Sequence, residues 1–138
     1  MRLSRHLLID GWGCAAAQLD DPEQVQAALR RSVQDSAATL IDLCVHQFSP
    51  QGVTATATLA ESHLAIHTWP EHGYFAADLL FCGELDPQRG VPAIVESLAP
   101  ARYRVREIPR GIALPLADAN RLAGEIEEEG SRTKDDGS

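Results

Sequence analysis

The chain has 138 residues, 44% apolar and 23% charged, the makeup of one globular domain with its own core, which excludes collagen-like, low-complexity and wholly disordered chains. A net charge of −8 argues against the basic footprint of a nucleic-acid binder, and no apolar run approaches the roughly 20 residues of a membrane span. The start is too weakly apolar for a signal peptide, and the 3 cysteines are widely spaced with no Cys-x-x-Cys, so a cytoplasmic protein without disulfides is expected.

Residues 3–9 are a short segment closed by apolar Leu7-Leu8-Ile9 and followed by Asp10-Gly11, which predicts a first strand. Asp21-Pro22-Glu23-Gln24 reads as a helix start, with Asp21 as cap, Pro22 at the first helical position and Gln24 closing a capping-box-like pattern. Val25, Ala28, Leu29, Val33 and Ala37 then recur at helical spacing. Between residues 39 and 48 the period changes to two. Ile41, Leu43 and Val45 alternate with Asp42, Cys44 and His46, as in a half-buried strand.

Ser49-Pro50-Gln51-Gly52 suits a type I turn. Val53, Ala55, Ala57 and Leu59 next alternate with Thr54, Thr56 and Thr58, giving one small apolar face and one hydroxyl face. Ala60-Glu61-Ser62-His63 is read as running almost directly into residues 64–69. Pro70-Glu71-His72-Gly73 is a turn, and residues 74–82 form a strand interrupted by Asp78. Asp86-Pro87 opens a second helix whose first turn is irregular because of Gly90 and Pro92, with Val91, Ile94, Val95 and Leu98 buried. Residues 103–107 make a last strand. Residues 118–138 hold seven acids and three bases and are expected to be a disordered tail behind a domain of residues 1–117. The order strand, helix, three strands, helix, strand predicts an α+β two-layer sandwich, a mainly antiparallel sheet with both helices on one face.

Reactive side chains crowd into residues 61–82: Glu61, Ser62, His63, His67, Glu71, His72 and Cys82. Each alone reads most simply as turn, partial core or small hydrophobe. His63, His67, His72 and Cys82 are zinc-competent ligand types, but their spacing matches no tight zinc pattern, and no metal is expected. Ser62, His67 and Asp78 contain the residue types of a hydrolase triad, but no Gly-x-Ser-x-Gly elbow surrounds Ser62.

The string Glu61-Ser62-His63-Leu64-Ala65-Ile66-His67-Thr68-Trp69-Pro70-Glu71 closely resembles the prokaryotic S-adenosylmethionine decarboxylase family. So do Phe75-Ala76-Ala77-Asp78-Leu79-Leu80-Phe81-Cys82-Gly83, Arg5-His6-Leu7, His46-Gln47-Phe48 and Gly52-Val53-Thr54, so that the resemblance spans about residues 4–109. It implies a proenzyme that cuts itself at Glu61-Ser62 into chains 1–61 and 62–138, which stay associated and pair as a dimer of such units. Ser62 Oγ attacks the Glu61 carbonyl, turning amide into ester. Loss of the Ser62 α-proton expels the Glu61 carboxylate, and the dehydroalanine hydrolyses to a pyruvoyl cofactor and ammonia. In the same resemblance His67 is the base of processing, Thr54 keeps an assisting hydroxyl, and the pyruvoyl group at position 62 forms a Schiff base with substrate. Cys82 returns a proton to the product. Phe48 stacks on adenine and Glu71 accepts from ribose hydroxyls, while His63, Trp69 and Tyr74 are structural. The implied reaction releases carbon dioxide from S-adenosylmethionine for spermidine synthesis. Ornithine or arginine as substrate, and a non-catalytic partner homologue, are the rival readings. Phe75 and Phe81 depart from residues common among relatives and are expected to reshape the pocket wall.

Overall fold

A computed structural model describes residues 3–111 and 131–134. Seven strands form one antiparallel sheet: β1 (Ser4–Trp12), β2 (Leu40–Gln47), β3 (Val53–Leu59), β4 (Ser62–Trp69), β5 (Tyr74–Cys82), β6 (Arg102–Arg110) and β7 (Ser131–Lys134). Their spatial order is β2-β3-β4-β5-β1-β6-β7. Three helices, α1 (Ala16–Leu19), α2 (Pro22–Asp35) and α3 (Val91–Leu98), complete the expected α+β sandwich. Among the described residues no helix is long and apolar enough to cross a membrane.

Strand alternation sorts the side chains. Leu7 and Ile9 on β1, Val53, Ala55, Ala57 and Leu59 on β3, Leu64 and Ile66 on β4, and Phe75, Ala77, Leu79 and Phe81 on β5 are buried in one core with Leu29 of α2 and Ile94 and Leu98 of α3. Fully burying each large side chain contributes about 1.5–3 kcal/mol. Phe75 and Phe81 therefore lie beneath the helix layer, and the expectation that they shape a pocket wall is corrected. Their odd positions on β5 share the phase of Ala77 and Leu79, opposite to Asp78 and Cys82.

Several local expectations change. Val53–Leu59 and Ser62–Trp69 are separate strands, so four strands, not three, lie between α2 and α3. The hairpin between them turns on Ala60 and Glu61 alone, with Leu59 opposite Ser62. The first helical turn of α2 is held by the Asp21 carboxylate, which accepts from the Glu23 N–H. The capping-box role for Gln24 does not occur. Its side chain donates to the Ser97 carbonyl of α3 and joins the two helices.

The loop after β2 contains a cis Ser49–Pro50 peptide and is closed by the Phe48 N–H on the Gly52 carbonyl, in place of a type I turn. Ile41 is 65% exposed because the β2–β3 register shifts between Leu40 and Asp42, turning it off the core face. The irregular first turn of the last helix is a 3-10 segment, Pro87–Gly90, leading into α3. Within the stretch expected as tail, residues 131–134 pair with β6. The remainder of 118–138 lies outside the described residues.

Arg5 clamps the end of the sheet to the loop after β5. Its guanidinium donates to both Glu107 oxygens and lies 3.1 Å from Asp86 Oδ1. The Glu107 hydrogen bonds raise the Arg5 pKa above its ordinary value against the opposing effect of burial.

A methyl at Gly11 would sit 2.1 Å from Phe75 Cε2, in the middle of the core. Gly11→Ala is expected to lower unfolding free energy by about 1–3 kcal/mol, read from a urea titration. Burial pushes the Cys14 thiol from 9.0 up to about 11. Burial first, then its hydrogen bond to Asp10, pushes the Tyr74 phenol from 10.0 up to about 12. Both groups hold their protons in the folded chain where the unfolded chain loses them. Their stabilisation is thus full below pH 9.0 and is lost as pH rises to about 12. The urea midpoint should fall across that range, and Cys14→Ala should flatten its first part.

Candidate active site

The face of the sheet away from the helices carries nearly all of the polar side chains that the sequence singles out. Alternation puts Thr54, Thr56 and Thr58 of β3, His63 and His67 of β4, Asp78 and Cys82 of β5, and His6 and Asp10 of β1 on it. They fall into three groups.

The first group is at the β3–β4 hairpin and the end of β5. Glu61 holds a φ of 60°, a left-handed backbone that side-chain-bearing residues rarely adopt and that Gly or Asn usually occupies at this place in a turn. Ser62 follows it, half-buried, at the first position of β4. Its Oγ accepts from the Cys82 N–H at 3.3 Å. Ser62 and Cys82, twenty positions apart, thus meet.

The second group is at the far end of β4. Thr54 Oγ1 and His67 Nδ1 are hydrogen-bonded at 3.0 Å, on directly paired residues of β3 and β4. With Phe48, Trp69 and Glu71 they line a cleft of about 310 Å³. Phe48 is 47% exposed, and the His46 ring meets it edge-on with centroids 4.5 Å apart. The loop carrying Phe48 is tied down from below. Asp20, just after α1, accepts the Gly52 N–H on its carboxylate at 2.8 Å and the Gln47 side-chain amide on its carbonyl. The buried Thr68 hydroxyl donates to the Leu19 carbonyl and accepts from the Val53 N–H. Trp69, read from sequence as structural, is 40% exposed and also borders a second cleft with Asp10, Trp12, His72 and Tyr74. Its phase along β4, matching His63 and His67, was the signal for it.

These two groups are not brought together within one chain. Five residues of extended strand separate Ser62 from His67, roughly 16 Å at the usual rise. Asp78 is not paired with His67 either: His67 lies opposite Ala76, and the Asp78 carboxylate meets His63 and His6. The serine, histidine and aspartate of the hydrolase reading are therefore not assembled.

The third group lies between the others. His63 Nε2 is 2.8 Å and His6 Nε2 is 3.2 Å from the same oxygen, Asp78 Oδ1. This is the potential metal-ligand cluster among the described residues, with its three ligand atoms within 4.8 Å of one another. It replaces the set of His63, His67, His72 and Cys82 weighed from sequence. Its hydrogen bonding does not suit a cation. Arg110 Nη1 donates to His6 Nδ1 at 3.0 Å, so that nitrogen accepts and the ring's own proton sits on Nε2, facing Asp78. A bound metal would need that proton removed.

One helix-covered sheet face, one open face with most of the reactive side chains and Ser62 at its end mark a two-layer α+β enzyme. Residues 5–111 match the family model described as S-adenosylmethionine decarboxylase, and the chain belongs to that family. A protein named S-adenosylmethionine decarboxylase proenzyme from Methanococcus maripaludis is 45% identical over 112 residues, 80% of this chain and 92% of that one. One of the same name from Moorella thermoacetica is 39% identical over 82% of this chain and 91% of that one. The crystal structure of the adenosylmethionine decarboxylase from Aquifex aeolicus superposes with a TM-score of 0.75 at 34% identity, covering 82% of this chain and 94% of that one.

The hydrogen bonding of His6 leads to a direct expectation. Extensive treatment with a chelator should leave the melting temperature of the purified protein unchanged, and calorimetric titration with zinc should give no stoichiometric binding that His63→Ala abolishes.

Proposed function

We propose that this chain is a pyruvoyl-dependent decarboxylase of S-adenosylmethionine, matured by its own cleavage between Glu61 and Ser62 and serving spermidine synthesis. The observation that carries the reading is the backbone at the hairpin tip. A non-glycine residue held at φ 60° immediately precedes a serine whose Oγ is engaged by the Cys82 amide. Such strain is kept where it serves chemistry. Ser62 Oγ attacks the Glu61 carbonyl carbon, the amide becomes an ester, and elimination releases Glu61 as a carboxylate. Serine suits this role because its β-oxygen is the leaving group. The residues around the tip fit the resulting group: the turn ends one chain and β4 begins the other, and both stay paired in the sheet.

The pyruvoyl group supplies a carbonyl that takes up the electrons left by departing carbon dioxide. Cys82, at the same end of the sheet, holds a thiol proton for the product's α-carbon. Phe48 and Trp69 offer aromatic faces to adenine, and Glu71 accepts from the ribose hydroxyls. His67, steadied by Thr54, takes the proton in processing.

The roughly 16 Å between Ser62 and His67 means that one copy does not complete the site. A second copy, packed face to face on the open sheet, brings its own His67 and aromatic cleft to the Ser62–Cys82 end. Leu8, Ala65, Ala76 and Leu80 give that face an apolar centre for such packing. The two cleaved halves stay together, each supplying strands to one sheet, and pair as a dimer of heterodimers. Three unpaired cysteines suit a cytoplasmic setting.

Intact mass before and after borohydride reduction with S-adenosylmethionine tests the reading. Two fragments split at Glu61–Ser62, the second trapping an adduct of the decarboxylated substrate, are expected. Ser62→Ala should remain whole, and His67→Ala should slow cutting by about 10²–10⁴-fold. Mixing the Ser62→Ala and His67→Ala chains should restore one site per dimer. Trapping only with ornithine or arginine would change the substrate, and a wild-type chain that never cuts would overturn the enzyme.

A further inference from the structure

Cleavage turns residue 62 from the shoulder of a tight hairpin into the first residue of a chain. Chain ends fray unless something ties them down. This end is the one that must stay still, because it bears the reacting group. In the uncut chain the covalent turn through Ala60 and Glu61 holds it. In the cut chain that restraint is gone, and β4 continues from residue 62 into a ladder with β5 whose first pair is His63 with Leu80.

His63 is also the first side chain of the new chain with a strong partner. Its Nε2 reaches Asp78 Oδ1 at 2.8 Å. Asp78 lies on β5, the strand that carries Cys82, four positions earlier on the same face. His6 of β1 bonds the same carboxylate oxygen at 3.2 Å, and Arg110 of β6 holds His6 from behind at 3.0 Å. Three strands are thereby joined at one oxygen, and a fourth, β6, is joined to them through the His6 ring. The group contributes little to the core: the His63 side chain is 46% exposed, and Asp78 breaks an otherwise apolar strand. The metal reading does not account for it.

We infer that His63, Asp78 and His6 form a pin that keeps residue 62 beside Cys82 after the Glu61–Ser62 bond has been cut. This rests on the cleavage reading above. None of the three touches the reacting atoms, so all are positioning residues. Losing a hydrogen bond to a charged group should favour opening of the end by roughly 10- to 100-fold.

The test compares amide hydrogen exchange of residues 63–66 in cut and uncut protein. Ser62→Ala supplies the uncut form, and Asp78→Ala is introduced into both. In the cut enzyme Asp78→Ala should speed exchange by roughly 10- to 100-fold, and in the uncut form by less than about threefold. The same substitution should lower kcat for S-adenosylmethionine about tenfold, with KM and the self-cleavage rate within about threefold. Asp78→Asn keeps an acceptor oxygen and should recover most of both effects. If Asp78→Ala does not fold, His63→Ala carries the same comparison at a half-exposed site. Equal exchange effects in cut and uncut protein, or an unchanged kcat with faster exchange, would overturn the pin while leaving cleavage intact. A wild-type chain that never cuts has no end to hold and overturns both readings together.

Discussion

The molecule is organised by the two-residue period of its strands. A sheet covered on one side only must send alternate side chains to opposite environments. The helix side takes Leu7, Ile9, Leu64, Ile66, Phe75 and Phe81, all but sealed from water. Most of the polar side chains of β3, β4 and β5 are left for the other side, Ser62 and Thr68 having the core phase on β4. Because neighbouring strands are antiparallel and in register, residues distant in sequence arrive side by side there, as Thr54 does with His67. The same rule that builds the core also gathers much of the chemistry.

That economy has a limit. Residues on one strand stay as far apart as its rise dictates. Ser62 and His67 lie five positions apart on β4 and differ in phase, whereas Ser62 and Cys82 are close because β5 runs back alongside β4. The open face and the turn at its end therefore make a row of half-sites: a strained turn with its serine at one end, a hydroxyl–imidazole pair above an aromatic cleft at the other, and a carboxylate shared by two imidazoles between them. The proposed reaction needs the first two in contact. In the proposed dimer, two-fold packing of identical sheets satisfies that need with one sequence.

Much of this was legible before any coordinates. The Thr/Ala alternation of β3, the capped start of α2 and the broken entry into α3 are local signals with local causes, and each appears where it was read. The Ala60–Glu61 turn was hidden because neither residue carries the Gly or Asn that normally marks such a bend. Ile41 was misread because a register shift between strands leaves no trace in the alternation of one strand. The four residues of α1 are too few to show a period. The pairing of His6 and His63 on Asp78 depends on the register of three strands that are not consecutive in sequence. The resemblance named Ser62, His67 and Cys82, while strand geometry set out how far apart they stand in a single chain.

The tie between α1 and the Phe48 loop has a thermal consequence. Asp20 and Thr68 couple the cleft wall to a helix of only four residues, held by a few backbone hydrogen bonds. Such a segment opens at far lower free energy than the sheet. Warming therefore releases the aromatic wall while the seven-stranded core is still intact. The molecule therefore has two separate upper temperature limits, one for the shape of the cleft and one for the shape of the sheet.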